Sequence, residues 1–157
     1  MTRSHARSTV GQQAICKRSA GRKSNISLVG AISAQGMREL YPYDGAIDGE
    51  RFLAFLERLL PKLKPGNVIV MDNLRVHHIA EVKGRLKAAG IGLLYLPPYS
   101  PERNPIEEAW ALIKRIFRSA EANSIVRYID TMHKAFSVVT REIATALFTH
   151  AGYALNG

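Results

Sequence analysis

The sequence lacks the features of a disulfide-stabilised, exported or membrane protein. Cys16 is the only cysteine among 157 residues, so neither an intrachain disulfide nor a zinc site built from several cysteines can form. No apolar run approaches the length of a membrane span, and no signal-peptide core follows the basic N-terminus. These absences predict a soluble, cytoplasmic protein with no membrane partner.

Acidic residues are also scarce relative to basic ones. The chain has 13 Asp and Glu against 22 Lys and Arg, a formal net charge of +9 and a pI near 10.0. A field of this sign attracts polyanions, so nucleic acid is the first candidate partner. The alternative is the loose, nonspecific nucleic-acid binding that many small basic proteins show. Charge therefore indicates a class of partner but no reaction.

Length and composition predict one domain, residues 25–157, preceded by a basic arm. With 157 residues and a hydrophobic fraction of 46%, the chain can bury a core. Residues 1–24 contain no acid, and their Lys and Arg are mixed with Ser and Gly, which is typical of a weakly structured segment. Within the arm, only residues 13–16 could form a short strand.

The apolar pattern predicts a mixed α/β domain. Residues 26–43 predict a β-hairpin that turns at Gly36, and Asp48 is a good N-cap for a helix that ends at Pro61. Residues 68–71 and 91–96 are continuous apolar runs, typical of interior parallel strands. A helical stripe between these two runs completes a βαβ unit.

The second half of the chain is predicted to be helical after a rigid loop. Residues 97–101 contain three prolines and predict an extended loop, and Pro105 suits the first turn of the next helix. A further helical stretch begins near Asn123, and more helix is expected up to about Thr149. The residues expected to face inward on it are Ile125, Ile129, Met132, Phe136 and Val139.

Two acidic residues lie where site chemistry is expected. Asp72 ends an apolar strand, at the sheet edge where α/β proteins bind ligands. Glu107 lies in the first turn of the helix that begins at Pro105. Metal-dependent phosphoryl-transfer sites gather carboxylates from separate elements around hard cations such as Mg²⁺. The pattern therefore predicts a metal site that includes Asp72 and Glu107.

Each of these residues also has an ordinary structural interpretation. Asp72 could cap the following turn, and Glu107, like Glu108, could complement the positive end of a helix dipole. Glu107 differs from Glu108 because Lys114 and Arg118 follow on its helix face and could hold a phosphate backbone.

The adjacent histidines, His77 and His78, point in different directions, which disfavours a metal shared between them. A single satisfied or exposed histidine is the simpler interpretation of each.

Two motifs together carry a family resemblance. The stretch VIVMDNLRVH at 68–77 and the stretch LYLPPYSPERNPIEEAW at 94–110, followed by Lys114, closely resemble the catalytic domain of mariner-like DDE transposases, best in the bacterial insertion-sequence branch. The similarity extends from about Gly11 to Tyr153. Both motifs at this spacing are far more specific than either acid alone. The resemblance implies a ribonuclease H-like fold, with a mixed sheet flanked by helices, and an activity in DNA transposition.

The resemblance also implies residue roles and a cofactor. In such sites three acids bind two divalent ions, Mg²⁺ or Mn²⁺, which activate water or a DNA 3′-hydroxyl for attack on a phosphodiester. Asp72 corresponds to the second acid and Glu107 to the third, and the DNA partners are transposon ends and target. Asn73, His77 and Asn104 are expected to support the metal or the DNA, and Lys114, Arg115 and Arg118 are expected to bind DNA.

The first acid of the family has no convincing counterpart. It lies on a central strand upstream of the segment that residues 11–19 resemble, and neither Asp44 nor Asp48 is a good replacement. We therefore expect a truncated or split-frame transposase domain that lacks the first central strand and has reduced or no activity alone. Residues 13–17, or a strand from a partner chain, could fill the gap in the sheet.

Two other interpretations stay open. The chain could be a non-catalytic DNA-binding or regulatory remnant, because the basic charge is retained while the first acid is absent. Alternatively, coding sequence upstream, in frame or shifted, supplies the missing strand. The candidate protein partners are accordingly a second copy of the chain, full-length transposase and an upstream-frame product.

Overall fold

A computed structural model describes residues 26–120 and 125–155, so the predictions for the arm lie outside the described residues. Four strands and five α-helices occur in these ranges, with short 3₁₀ turns between some of them. The elements are β1 (Ile26–Ser33), β2 (Gly36–Asp44), α1 (Gly49–Leu59), β3 (Val68–Met71), α2 (Ala80–Ala88), β4 (Gly92–Tyr95), α3 (Pro105–Ser119), α4 (Ile125–Val138) and α5 (Arg141–His150).

The hairpin of β1 and β2 separates two layers of the core. The strands pair antiparallel, from Ile26 opposite Asp44 to Ser33 opposite Gly36, which confirms the predicted hairpin. Because side chains alternate along a strand, β1 has one buried face toward each layer. Leu28 packs with the buried residues of α3 and α5, whereas Val29 packs with those of α1, α2 and β3. Helices therefore cover both faces of the hairpin.

The first layer contains α1 and the predicted βαβ unit. Asp48 caps α1 as expected, since its Oδ1 accepts a hydrogen bond of 2.9 Å from the backbone N–H of Arg51. Strands β3 and β4 pair in parallel, with Val68 opposite Gly92, and α2 connects them. The prediction that both strands are interior is confirmed only in part: Ile69 and Met71 of β3 are buried, whereas Val68 and Leu94 are 53% and 60% exposed. Within the described residues β4 pairs only with β3.

The second layer contains α3, α4 and α5. Helix α3 begins at Pro105 as predicted and buries Ile106, Trp110 and Ile113 against the hairpin layer. Gly30 on β1 makes room for Trp110, since a Cβ at Gly30 would lie 2.9 Å from the Cη2 atom of the indole.

The predicted inward face of α4 is partly wrong. Ile129 and Phe136 are 51% and 38% exposed, and the side chain of Ile125 lies outside the described residues. The buried positions of α4 include Thr131 and Ala135, because the helix approaches α3 and β2 through its small side chains.

The helix expected up to about Thr149 is present, and the proline loop differs from expectation. Helix α4 stops at Val138, and Thr140 caps the first turn of a separate helix, α5, by accepting from Ile143 N–H. The loop 97–101 is not uniformly extended, since Tyr99 has a φ of 55° and residues Pro101–Arg103 form a 3₁₀ turn. No helix among the described residues is long and apolar enough to cross a membrane.

The two sheets are separate among the described residues but share one core. Val29 and Ala31 of β1 pack in the same cluster as Ile69 and Met71 of β3. A cavity of about 320 Å³ lies between the two strands, and Ala31 and Ile69 are among its lining residues. Residues 26–120 and 125–155 contain no strand that pairs with β1 or β3 on the sides that face this gap.

The packing of Trp110 on Gly30 predicts opposite effects for two glycine substitutions. We expect Gly30→Ala to lower the free energy of unfolding by about 1–3 kcal/mol through overpacking. Gly84→Ala, in α2, has nothing within 4 Å of the added Cβ, so we expect it to stabilise by about 0.5–1 kcal/mol through helix propensity. Urea unfolding of both variants checks this, and equal changes would contradict the packing described.

Candidate active site

Asp72 and Glu107 open onto one cavity of about 460 Å³. The end of β3, the loop after β4 and the start of α3 form its walls. Asn73 and Asn104 add polar groups, while Leu74, Leu96, Pro97 and Pro98 supply an apolar side. Within the described residues no other acid lines this cavity. The structure therefore brings together the two acids that the sequence singled out.

The two carboxylate oxygens of Asp72 have different surroundings. Oδ1 accepts a hydrogen bond of 3.0 Å from the backbone N–H of Leu74 and lies 2.9 Å from Nδ1 of His77. Oδ2 is buried and has no hydrogen-bond partner among the described residues. The structural interpretation of Asp72 as a turn cap is thus correct for one oxygen, and the other oxygen remains available to a ligand.

His77 is held rigidly behind Asp72. Its side chain is fully buried, and its ring centroid lies 4.8 Å from that of Phe52. Nδ1 also lies 3.2 Å from the backbone oxygen of Asp72, so the tautomer with a proton on Nδ1 can donate to both oxygens. The Tyr95 hydroxyl donates to the backbone oxygen of His77 at 2.7 Å, and burial raises the pKa of Tyr95.

Asn73 and His78 connect the ends of β3 and β4. The Asn73 side-chain amide donates to the backbone oxygen of Leu96 at 2.7 Å, and its Oδ1 lies 3.2 Å from Nε2 of His78. The exposed His78 ring stacks on Tyr95 with centroids 4.2 Å apart. The two histidines do face different directions, as predicted, with one buried and one exposed.

Asn104 and Glu107 come from the start of α3. Asn104 occupies the N-cap position, and its backbone oxygen accepts from Glu107 N–H at 3.0 Å, but its side chain makes no capping bond. The residue is 3% exposed, and its Oδ1 is buried with no hydrogen-bond partner among the described residues. Glu107 is half-buried in the first helical turn.

Glu108 belongs to a different contact, away from the cavity. Its Oε1 lies 2.5 Å from Nδ1 of His150 at the end of α5. The Tyr153 hydroxyl donates to the backbone oxygen of Arg103 at 2.9 Å, just before α3. The residues after α5 therefore brace the segment that carries Asn104 and Glu107. Local sequence patterns contain no signal for this brace, because the contacting residues are more than 40 positions apart.

The predicted DNA-binding residues follow Glu107 along α3. Lys114 is half-buried, and Arg115 and Arg118 are exposed. None of the three lines the cavity. They follow Glu107 along α3, outside the lining of the cavity.

The oxygen atoms around the cavity fit a hard divalent cation. Asp72 Oδ2 and Asn104 Oδ1 are buried acceptors without a hydrogen-bond partner among the described residues, and Glu107 adds a second carboxylate. Such oxygens are the ligands that Mg²⁺ and Mn²⁺ prefer. The described residues contain no group of three or more His, Cys, Asp or Glu that could hold a metal, so carboxylates alone do not complete the site.

Comparison with known proteins gives a family profile and a fold. The profile of the family described as DDE superfamily endonuclease matches residues 1–128. No curated protein sequence matches the chain.

Solved structures of Mos1 transposase are among those that the chain resembles. The Mos1 paired-end complex with left transposon end has a TM-score of 0.67 at 15% identity, covering 84% of this chain and 42% of that one. The catalytic domain of Mos1 mariner transposase has a TM-score of 0.66 at 14% identity, covering 79% and 66%. The Mos1 catalytic domain solved with raltegravir and Mg has a TM-score of 0.64 at 13% identity, covering 83% and 76%.

These likenesses confirm the predicted ribonuclease H-like α/β fold. The chain spans less than half the length of the Mos1 transposase in the paired-end complex.

The buried contact between His77 and Asp72 predicts a large effect on stability at one histidine only. We expect His77→Leu to lower the free energy of unfolding by about 1–3 kcal/mol, because it removes a buried hydrogen bond to Asp72. His133→Leu, at an exposed position of α4, is the control and should change stability by less than about 0.5 kcal/mol. Urea unfolding measures both, and equal effects would show that the imidazole contributes nothing specific.

Proposed function

The chain belongs to the DDE superfamily endonuclease family, and from this premise we propose that residues 25–157 are a transposase catalytic domain of the bacterial insertion-sequence branch. It acts on DNA phosphodiesters at transposon ends by two-metal catalysis. The observation that carries the proposal is the single cavity that Asp72, at the end of β3, shares with Glu107, at the start of α3.

Asp72 and Glu107 are the proposed cation ligands. Bound Mg²⁺ or Mn²⁺ would activate water or a 3′-hydroxyl and offset the charge that develops on the phosphate. Metal use is supported by the Mos1 catalytic domain, which was solved with Mg and with Mn. His77 and Leu74 contact Asp72 Oδ1, which leaves Oδ2 as the oxygen proposed to meet the ion.

Helix α3 orients the DNA relative to the acids. Lys114, Arg115 and Arg118 follow Glu107 on the same helix, where they can pair with the phosphate backbone and fix its register. The net charge of +9 favours the same partner. Transposon-end DNA is the class of substrate that the Mos1 paired-end complex supports.

Activity of the 157-residue chain by itself is proposed to be low. Residues 1–38 contain no Asp or Glu. Asp48 is occupied as the cap of α1, and neither Asp44 nor Asp48 lines the cavity. A site with two carboxylates binds a second divalent ion weakly. A partner that supplies a further carboxylate, such as full-length transposase or an upstream-frame product, would raise activity.

A second candidate function is DNA binding without catalysis. The retained positive charge, together with a cavity that has two acids, favours it. Such a protein would occupy transposon ends, or pair with full-length transposase, and modulate its activity. The two candidates give different results in the next experiment.

Nicking of supercoiled plasmid DNA in Mg²⁺ or Mn²⁺ tests the catalytic proposal. We expect slow nicking that falls by about 100-fold or more in Asp72→Asn and in Glu107→Gln, because each loses a charged ligand worth several kcal/mol of transition-state stabilisation. Glu108→Gln is the matched control, since it removes the same charge at the neighbouring position and faces His150.

Two results would contradict the catalytic proposal. Undiminished nicking in both site variants would show that the cavity is not the active site. Absence of nicking in every protein, with salt-sensitive DNA binding intact, would favour the non-catalytic candidate.

Removal of the three cations that follow Glu107 on α3 should lower DNA affinity by more than the change in net charge explains. We expect the triple variant Lys114→Gln, Arg115→Gln, Arg118→Gln to bind DNA more weakly, with a salt slope that is smaller by about 0.9 per lost phosphate contact. The control replaces three exposed cations on other elements, Lys64, Lys87 and Arg141, by Gln and changes the net charge equally. Fluorescence anisotropy at several salt concentrations measures both. An equal loss of DNA affinity in the two triple variants would show that net charge alone causes the effect.

A further inference from the structure

We propose that Asn104 is a cation ligand, whose side-chain oxygen acts with Asp72 and Glu107 on the same divalent ion. The inference rests on the proposed function, because it concerns the same cavity. It assigns the site three protein ligands although only two carboxylates line the cavity in the described residues.

The side-chain oxygen of Asn104 is buried and lacks a hydrogen-bond partner among the described residues. Asn104 is 3% exposed, and its Oδ1 has no hydrogen-bond partner in the part of the chain that the structure describes. A buried acceptor in this state costs about 1–3 kcal/mol, so it calls for a ligand. Asp72 Oδ2 is in the same state on the same cavity. One bound cation would satisfy both oxygens.

The side chain of Asn104 does not cap α3, although it occupies the N-cap position. Asp48 and Thr140, at the same position of α1 and α5, each accept a hydrogen bond from a backbone N–H in the first helical turn. Asn104 is equally suited to this role, which is worth about 1 kcal/mol, but it makes no such bond. The side-chain oxygen of Asn104 is therefore not used to cap α3, and the helix lacks the stabilisation that such a cap would give.

Neighbouring residues constrain the positions of Asp72 and Asn104. Leu74 N–H and His77 Nδ1 hold Asp72 Oδ1, which leaves Oδ2 as the oxygen for an ion. Asn104 is held by its place in the backbone, between the turn Pro101–Arg103 and α3, and the Tyr153 hydroxyl bonds to the adjacent residue. The Asp72 carboxylate and the backbone at Asn104 are thus held in place before any ion binds.

Charge explains why an amide is suited to this position. Two carboxylates already offset the charge of one divalent ion, and a third carboxylate would add repulsion between ligands whenever the ion is absent. An amide oxygen adds a ligand without adding charge, and amide oxygens are ordinary ligands for hard cations. A chain with two carboxylates at the cavity can therefore retain one competent cation site.

Mn²⁺ binding to the full chain, followed by electron paramagnetic resonance, tests the proposal. We expect Asn104→Leu to weaken Mn²⁺ binding by about tenfold or more, on the scale measured for groups that only support a metal ligand. Asn104→Asp should bind Mn²⁺ more tightly than the wild type. The control Asn67→Asp adds the same charge at an exposed position outside this cavity and should leave Mn²⁺ binding unchanged.

Thermal unfolding without metal separates ligation from a structural role. Because Asn104 makes no capping bond, Asn104→Leu should keep or raise the Tm of the metal-free protein. A large fall in Tm together with unchanged Mn²⁺ affinity in Asn104→Asp would assign Asn104 a structural role and overturn the proposal.

Asp72→Asn distinguishes failure of this inference from failure of the proposed function. If Asp72→Asn loses Mn²⁺ and Asn104→Leu binds it as well as the wild type does, Asn104 is not a ligand and the catalytic proposal stands. If the wild type binds no Mn²⁺, or Asp72→Asn binds it normally, the cavity is not a cation site and both proposals fail.

Discussion

The contacts that hold Asp72 Oδ1 are the interaction on which the rest of the site depends. Leu74 N–H and the buried imidazole of His77 contact this oxygen and leave Oδ2 buried without a partner among the described residues. An oxygen in that environment is costly unless a ligand satisfies it. The same contacts fix the carboxylate in one orientation, so the cavity has a preorganised ligand and not a mobile surface acid.

The fold brings the second acid to this point through packing on the hairpin. One face of β1 packs on the layer of α1, α2 and β3, which ends in Asp72, and the other face packs on α3, which begins with Glu107. Gly30 allows Trp110 to approach β1 closely and so determines how near α3 lies. The C-terminal residues then brace the start of α3 through Tyr153.

Much of this architecture follows from local sequence, and the exceptions have a common cause. The hairpin, the capped α1, the βαβ unit and the start of α3 at Pro105 depend on periodicity, caps and prolines, which the sequence shows directly. The outward positions of Ile129 and Phe136 depend on which face of α4 meets α3, and periodicity alone does not decide this. Leu94 is exposed for a similar reason, since burial of a strand depends on its neighbours.

The candidate site was likewise predictable from the sequence only in part. Asp72 and Glu107 could be identified because two motifs converge on a strand end and a helix start. The state of Asn104 could not, because an asparagine before a helix predicts a cap, and only the packed structure shows that the cap is not made.

A crystal structure of the chain with Mn²⁺, with data collected at the manganese absorption edge, tests most directly whether this cavity is a divalent cation site. We expect an anomalous peak within the cavity in contact with Asp72, Asn104 and Glu107. A cavity without a peak at saturating Mn²⁺, or a peak bound only elsewhere, would contradict it.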